Sequence, residues 1–360
     1  MRSFGVLLII FDGRTDFIPF AATLPSLITP MKNYATGVSL VMLGCNVAGG
    51  AGPWQQLAAL PEPNAAFACG IVQGKIVVMG GTNWANGRKN WLKTVHAFDV
   101  EKLQWSTLAP LTQSLAYPVV GDVGQGMLVA GGTTGEAPFA GSILAQKYPV
   151  IDQLKPGVAT PSVLSAGGMV GGKLIFVGGT DSAVNVAGFR RDAFAWDTRT
   201  GQQHALPSYP GPAFGVGAAA TVGDELLVFG GCRFDAQSGK VVNLADAYAF
   251  SVRRNEWRAL KPMPHPVRGL TPLRLDDRHI YLGGGARNDP EGFTDASFVY
   301  DLVADRYIPA RPLPYRAALV GLVLDGEYVY CIAGEDKGQH RADAVYRIKR
   351  AELLLEFRSD

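Results

Sequence analysis

The sequence has few of the residues that build metal centres, disulfide frameworks or nucleic-acid-binding surfaces. Of its 360 residues, only 4 are cysteine and 5 are histidine. No two cysteines stand in a C-x-x-C or zinc-ligand spacing. Charged residues make up 18% of the chain, the net charge is +2, and the basic residues are scattered. We therefore predict no metal, no cofactor and no nucleic-acid partner.

Long apolar runs and helical patterns are also missing. An apolar stretch at residues 4–11 is interrupted by Asp12 and is too short to cross a bilayer. The 44 glycines and 23 prolines recur every few residues, which leaves little room for helices. We expect no membrane span and a single, mainly β domain.

A second apolar segment near the start indicates export. Met31 opens a small basic stretch, and residues 35–43 are mostly small or apolar. Residues 42–45, Met-Leu-Gly-Cys, resemble an imperfect bacterial lipobox, whose cysteine would be lipidated. We predict translation from Met31, an export signal at 31–50, a periplasmic or otherwise exported protein, and Cys45 as a candidate lipid anchor. The alternative is an ordinary disordered leader.

The chain is rich in one repeated element, a short apolar strand that ends in paired small residues. Residues 76–81 read Ile-Val-Val-Met-Gly-Gly, and residues 226–231 read Leu-Leu-Val-Phe-Gly-Gly. Copies recur at intervals of 47 to 53 residues, a period typical of units that must stack to bury their faces. We predict a sharp turn with positive φ and close backbone approach at each pair. The second small residue falls at Gly81, Gly132, Gly179, Gly231, Gly284 and Gly334.

A second strand and a closing turn repeat with the same period. Residues 192–194 and 246–248 open such strands with an Asp-Ala pair, and Trp105 and Trp257 precede Leu-x-Pro turns. Gly-Gly, then an aromatic strand, then Trp, at these spacings, resemble the kelch motif of β-propellers over roughly residues 53–350. The resemblance implies an all-β fold, a six-bladed kelch β-propeller. The second unit has no Trp and is assigned as a blade on spacing alone.

The ends of the repeat array indicate how the ring closes. Residues 54–61 match the Trp-Leu-Pro end of a unit without a preceding Gly-Gly strand, and the last unit ends near Ile348 without that end. We predict that the N-terminal strand completes the last blade, which removes an open sheet edge. Deleting residues 53–62 should then cost more stability than deleting residues 1–30. The predicted boundaries are a leader at 1–50, the propeller at 51–350 and a tail at 351–360.

Residues that follow the Gly pairs, or lead into the innermost strands, converge on one end of a propeller channel. Many of them are Arg, and several guanidinium groups around one cavity suit a planar carboxylate. The alternative, that any one of them is a solvated loop residue or part of an inter-blade ion pair, stays open. The predicted substrate-binding residues are Asn64, Trp84, Asp181, Arg190, Arg268, Arg287, Arg316 and Lys337.

Residues 334–346, Gly-Glu-Asp-Lys-Gly-Gln-His-Arg-Ala-Asp-Ala-Val-Tyr, resemble the active-site segment of bacterial N-acetylneuraminate mutarotases (sialic acid epimerases). The resemblance implies Glu335 and Arg341 as the catalytic pair, an acidic sugar as substrate, and anomer exchange by acid–base ring opening. In that family the segment lies in a middle blade, whereas here it lies in the last. Either the chain belongs to a cyclically permuted branch of the family, or the last blade matches by repeat similarity alone. The third blade keeps an Arg at 190 but places Asp181 near the Glu position, so either blade could carry the base.

Two other classes of function are compatible with the same repeats. A non-catalytic kelch propeller that binds carbohydrate or protein has the same fold, and fold does not fix function. A copper radical oxidase of the galactose oxidase kind is also kelch-like, but it needs two His, two Tyr and a Cys at one end of the channel. His96 and His279 fall in strand patterns, which leaves few histidines for a metal. The sequence does not specify the oligomeric state.

Overall fold

The computed structural model describes residues 53–154, 158–288 and 292–354. The predicted leader at 1–50, the lipobox with Cys45, and residues 355–360 of the predicted tail lie outside the described residues. Those predictions therefore stay predictions.

The described chain consists of 28 strands joined by turns, with two single-turn 3-10 helices at Val186–Gly188 and Arg350–Glu352. The first fifteen strands are β1 (Gln55–Gln56), β2 (Ala68–Val72), β3 (Lys75–Met79), β4 (Thr82–Ala85), β5 (Arg88–Trp91), β6 (Val95–Asp99), β7 (Gln104–Thr107), β8 (Val119–Asp122), β9 (Met127–Ala130), β10 (Ser142–Lys147), β11 (Val150–Leu154), β12 (Ala166–Val170), β13 (Lys173–Val177), β14 (Ala193–Asp197) and β15 (Gln203–Leu206). The remaining strands are β16 (Ala218–Val222), β17 (Glu225–Phe229), β18 (Cys232–Asp235), β19 (Lys240–Asn243), β20 (Ala247–Ser251), β21 (Glu256–Ala259), β22 (Thr271–Arg274), β23 (His279–Gly283), β24 (Ser297–Asp301), β25 (Arg306–Pro309), β26 (Gly321–Asp325), β27 (Tyr328–Lys337) and β28 (His340–Lys349).

Six antiparallel sheets of four strands make the blades. From inside outward, blade 1 is β2-β3-β6-β7, blade 2 is β8-β9-β10-β11, and blade 3 is β12-β13-β14-β15. Blade 4 is β16-β17-β20-β21, blade 5 is β22-β23-β24-β25, and blade 6 is β26-β27-β28-β1. Two extra hairpins, β4-β5 and β18-β19, follow the second strands of blades 1 and 4. The spacing that assigned the Trp-less second unit as a blade is confirmed.

The innermost strands form a closed ring around a channel. Strands β2, β8, β12, β16, β22 and β26 contact one another in that order, and β26 contacts β2. The channel contains a cavity of about 600 Å³ lined by all six of these strands. Small residues such as Gly70, Gly168 and Ala219 line this cavity. The predicted all-β, six-bladed propeller is confirmed.

The Gly pairs connect neighbouring blades. Both glycines of a pair have positive φ, and a Cβ on Gly80 would lie 2.2 Å from the carbonyl oxygen of Leu115. The N–H of Gly81 donates to that same oxygen at 2.6 Å, and the N–H of Gly334 donates to the Asn64 carbonyl at 2.8 Å. Equivalent bonds run from Gly132 to Ser162, Gly179 to Phe214, Gly231 to Val267 and Gly285 to Ala317. The predicted positive φ and close approach are confirmed, and the pairs link the blades into a ring.

One pair lies one residue later than the sequence pattern placed it. Gly283 is the last residue of β23 and pairs with Ser297. The positive φ values of 68° and 113° belong to Gly284 and Gly285. Three consecutive glycines hide the register in the sequence, and only the strand ladder decides which two of them form the turn.

The N-terminal strand closes the ring, as predicted. Gln55 and Gln56 pair with Arg347 and Tyr346 at the outer edge of blade 6. The indole N–H of Trp54 donates to the carbonyl of Pro312 in the segment leading out of blade 5, at 2.9 Å. The equivalent bonds from Trp105 to Ala58 and from Trp257 to Pro207 connect other neighbouring blades.

Candidate functional site

Backbone bridges bring two segments of every blade together at one end of the channel. In blade 1, Ala65 bridges Thr82, and in blade 6, Ala318 bridges Glu335. Each bridge joins a residue that leads into an innermost strand to the residue that follows the Gly pair. The equivalent bridges are Ala116 to Thr133, Val163 to Thr180, Gly215 to Cys232 and Arg268 to Ala286. We call this end of the channel the upper mouth.

A ring of left-handed residues lines the upper mouth. Each blade contributes one residue with φ between 54° and 65°, and five of the six residues are not glycine. The N–H of Tyr117 donates to the Ala66 carbonyl at 2.8 Å, and that of Val216 donates to the Leu164 carbonyl at 2.9 Å. An apolar residue in this region costs about 1 kcal/mol, so the ring must be stabilised by its surroundings. The ring residues are Ala66, Tyr117, Leu164, Val216, Gly269 and Leu319.

Glu335 and Arg341 form a buried ion pair beside the upper mouth. The two residues lie on β27 and β28, which extend beyond the blade as a hairpin with shifted register. Nη1 of Arg341 lies 2.9 Å from Oε1 of Glu335. The Arg341 side chain is 2% exposed and the Glu335 side chain is 1% exposed. Oε2 of Glu335 is also buried and has no hydrogen-bond partner. The carboxyl therefore has one oxygen held by a guanidinium and one buried oxygen without a hydrogen-bond partner.

The environment of Glu335 raises its pKa to about 7, because burial disfavours the charged form. The charges of Arg341, Lys89 and Arg268 act in the opposite direction and favour the carboxylate. Arg341 is fixed by further bonds from Nη1 to the His340 carbonyl at 2.8 Å and from Nε to the Thr82 hydroxyl at 3.5 Å. A carboxyl group with a pKa near neutral pH suits proton transfer in either direction.

Lys89 is a functional candidate that the sequence patterns missed. Its Nζ donates to the Tyr117 hydroxyl at 2.8 Å and lies 4.7 Å from the ring centroid of Trp91. It is brought there by hairpin β4-β5, whose turn residues Asn86 and Gly87 have φ of 52° and 70°. Asn-Gly between two strands is the usual signal of a two-residue hairpin, and this signal could have revealed the hairpin.

Three of the predicted substrate-binding residues lie near the Glu335–Arg341 pair. Asn64 is fully buried, donates from Nδ2 to the Gly80 carbonyl at 2.8 Å, and has an Oδ1 without a partner. Arg268 donates to Oδ1 of Asn243 at 2.7 Å and is close enough to affect the pKa of Glu335. Trp84 lies two residues after Thr82 on β4, and its buried indole N–H has no hydrogen-bond partner.

The other predicted residues have more exposed surroundings. Arg316 and Lys337 are exposed, and Arg287 is half-buried next to Ala286. In blade 3, Asp181 is exposed, and a hydrogen bond from Asn185 lowers its pKa. Arg190 donates to the Pro161 carbonyl. Of the two blades that could carry a base, blade 6 therefore has the buried carboxyl, and blade 3 has an exposed carboxylate that is already solvated.

The described residues contain neither a metal-ligand cluster nor a membrane-spanning helix. No three His, Cys, Asp or Glu side chains within residues 53–154, 158–288 and 292–354 come together as a metal-ligand group. In the same residues, no helix is long and apolar enough to span a bilayer.

Comparison with known proteins returns the same repeat. The kelch motif matches residues 63–112 and 217–264, which contain blades 1 and 4. The Kelch-like protein terF of Aspergillus terreus is 25% identical over 252 residues, which are 64% of this chain and 53% of that protein. Kelch-like protein 25 of Xenopus tropicalis is 26% identical over 274 residues, 71% of this chain and 42% of that protein. This chain thus spans about half of these relatives. It is a six-bladed β-propeller in which blades 1 and 4 match the kelch motif.

Proposed function

We propose that the chain is a sugar mutarotase that interconverts the anomers of N-acetylneuraminate or a similar acidic sugar, with Glu335 as the proton-transfer group. The observation that carries this proposal is the buried Glu335 carboxyl, with a pKa of about 7 and one unpartnered oxygen beside Arg341. A carboxyl group in this state is costly for stability, and such groups are concentrated at functional sites.

The proposed reaction needs only proton transfers and one reversible bond cleavage. The Glu335 carboxylate removes the proton of the anomeric hydroxyl, the bond from the anomeric carbon to the ring oxygen breaks, and a carbonyl forms. The ring oxygen takes up the proton, which the same carboxyl group returns to it. Rotation about the adjacent carbon–carbon bond, followed by the reverse steps, closes the ring with the other anomer. The cations around Glu335, which are Arg341, Lys89 and Arg268, stabilise the negative charge that develops on the sugar's ring oxygen.

The test follows the anomerisation of freshly dissolved α-N-acetylneuraminate by NMR. Wild type should accelerate the exchange, and Glu335→Gln should lose that acceleration by about a hundredfold or more. Glu327→Gln is the control, since Glu327 is 67% exposed and forms an ion pair with Lys349 on blade 6. If Asp181→Asn abolishes the acceleration while Glu335→Gln retains it, proton transfer lies in blade 3 and the assignment to Glu335 is wrong.

A second candidate is a non-catalytic kelch propeller that binds carbohydrate or protein. The relatives are named Kelch-like proteins, and Glu335 already has an internal partner in Arg341. This function predicts binding of the sugar in a calorimeter with an anomerisation rate equal to that of buffer alone. Turnover that depends on Glu335 would contradict it.

The export of the chain is a separate proposal, which rests on the sequence pattern at residues 31–50. Mass spectrometry of the mature protein in its native host tests it. A mature N-terminus at or after Cys45 supports export, and a lipid on that cysteine supports anchoring. An intact Met1 in the cytoplasmic fraction contradicts both.

A further inference from the structure

We propose that Lys89 is the specificity-determining residue of the upper mouth, and that its ammonium group binds the carboxylate of an acidic sugar. The inference rests on the proposed function and deepens it, because it assigns the anionic group of the substrate to a residue outside the Glu335–Arg341 pair. No motif in the sequence assigns a role to Lys89.

The first argument is the charge balance around Glu335. Arg341 is committed to Glu335 and to the His340 carbonyl, and Arg268 donates to Asn243. Lys89 is half-buried, and its contacts are the neutral hydroxyl of Tyr117 and the ring faces of Trp91 and Tyr117. Within the part of the chain that the structure describes, no carboxylate lies within ion-pair distance of Lys89. A partly desolvated cation whose direct contacts are neutral gains from an anionic ligand.

The second argument is that one face of hairpin β4-β5 reaches both parts of the site. Thr82 lies opposite Trp91, and Trp84 lies opposite Lys89, so these four side chains share one face. On that face Thr82 contacts Arg341, while Lys89 contacts Tyr117 of the ring. This face of the hairpin therefore extends across the upper mouth, from the Glu335–Arg341 ion pair to Tyr117 in the ring of left-handed residues.

The third argument is preorganisation. Lysine has three N–H donors, and Lys89 uses one of them on Tyr117, which leaves two for the oxygens of a carboxylate. The Trp91 ring beneath it is packed so closely on Gly135 that a Cβ at that glycine would lie 2.6 Å from the ring. Because the side chain is already ordered, binding costs little further conformational entropy.

The chemistry of the substrate class matches this arrangement. In a cyclic 2-keto acid sugar, the carboxylate and the anomeric hydroxyl are attached to the same carbon atom. A carboxylate held by Lys89 would therefore fix the position of the hydroxyl whose proton moves to Glu335. The charge of Lys89 favours the ionised form of Glu335, so the two groups lie within electrostatic range of each other.

The experiment compares two ligands and three proteins by calorimetry. The ligands are N-acetylneuraminate and its uncharged methyl ester, and the proteins are wild type, Lys89→Met and Lys102→Met. Lys89→Met should weaken binding of the acid about tenfold or more and leave binding of the ester within about twofold. Lys102 is 74% exposed at the far end of blade 1, and Lys102→Met should leave both affinities unchanged. Equal weakening of acid and ester by Lys89→Met, or no weakening, overturns the proposal.

The same proteins separate this inference from the proposed function. If wild type accelerates anomerisation, Lys89→Met should raise KM for the acid about tenfold, while kcat stays within about threefold of the wild-type value. Wild-type anomerisation that Lys89→Met leaves unchanged would overturn the role of Lys89 and keep the mutarotase. Acid-selective binding through Lys89 without acceleration of anomerisation would keep the role of Lys89 and overturn the mutarotase. An absence of both binding and acceleration in wild type would overturn both.

Discussion

Burial of the Glu335 carboxyl disfavours its charged form, and the free energy of unfolding therefore depends on pH. Its pKa is raised from 4.5 to about 7, so the folded chain binds this proton more tightly than the unfolded chain. The resulting stabilisation is complete below the unfolded pKa and is lost as the pH rises through the folded one. A carboxyl group that titrates in the neutral range is also what the proposed proton-transfer role requires.

We predict that wild type loses roughly 3 kcal/mol of unfolding free energy relative to Glu335→Gln between pH 4.5 and pH 8. The variant removes the titrating group and leaves Arg341 charged at every pH, so the difference isolates Glu335. Urea unfolding at several pH values measures it. Stability curves that stay parallel over this range would contradict the raised pKa.

The glycine at position 81 is required by contact and by backbone conformation. Its φ is 102°, and a Cβ there would lie 1.9 Å from Oδ1 of the buried Asn64. Gly81→Ala should therefore lower the free energy of unfolding by roughly 3 kcal/mol or more. The matched control is Gly87→Ala, because Gly87 has φ of 70° and open space around its Cβ position. That variant should cost only about 1 kcal/mol in urea unfolding. Equal costs would show that the contact with Asn64 is unimportant.

At the scale of elements, hairpin β4-β5 covers the upper mouth and connects three blades. It follows the second strand of blade 1, contacts β28 of blade 6 through Thr82 and Arg341, and contacts blade 2 through Lys89 and Tyr117. Its position depends on Gly135, because a larger residue there would displace the ring of Trp91. The loop of blade 2 thus supports the face that carries Lys89.

We predict that Gly135→Ala weakens binding of the acidic sugar about fivefold through displacement of Trp91 and Lys89. Gly124→Ala is the matched control. The φ of Gly124 is 93°, close to the 106° of Gly135, and the space at its Cβ position is open. Both variants carry similar backbone strain, so a difference in calorimetric affinity reports the contact with Trp91. Equal affinities for the two variants would mean that the loop of blade 2 does not position the hairpin.

At the scale of the whole molecule, the ring is closed at two places where segments from the start and the end of the described chain meet. At the outer edge, β1 pairs with β28, and Trp54 donates to the Pro312 carbonyl. At the upper mouth, the N–H of Gly334 donates to the Asn64 carbonyl. Ring closure also places Asn64 and Thr82, from the start of the described chain, beside Glu335 and Arg341 from its end. The candidate site therefore depends on closure.

A chain that begins at Pro63 should unfold at a Tm about 10 °C below that of a chain that begins at Pro53. The shorter chain loses β1 and the buried Trp54 indole, and it leaves the edge of β28 without a partner. Thermal unfolding followed by circular dichroism compares the two. The control is the point variant Trp54→Phe, which keeps β1 and should fall between them. Equal Tm values for both chains would show that the outer closure contributes little.

Much of the fold could be predicted because each repeat encodes its own local structure. The Gly pairs, the Asp-Ala strands and the position of Trp54 indicated blades and closure without any tertiary information. The predicted position of the fifth Gly pair was wrong by one residue. Three consecutive glycines satisfy the pattern in two registers, and the pairing of Gly283 with Ser297 decides between them. Glu335 and Arg341 were named together by the resemblance of residues 334–346 to a mutarotase segment, and both lie in a single hairpin.

The sequence by itself determined the repeat, the blade count, the closing strand and one pair of candidate residues. These features depend on contacts within one repeat unit, or on the matching ends of the first and last units. A short sequence pattern is enough to predict them. The tertiary structure decided the burial of Glu335, the ring of left-handed residues and the place of Lys89. Those features arise where different blades meet: Arg341 reaches Thr82 across 259 residues, and Lys89 reaches Tyr117 in the next blade. Such contacts form only when separate blades pack against each other, and no local pattern relates the partners.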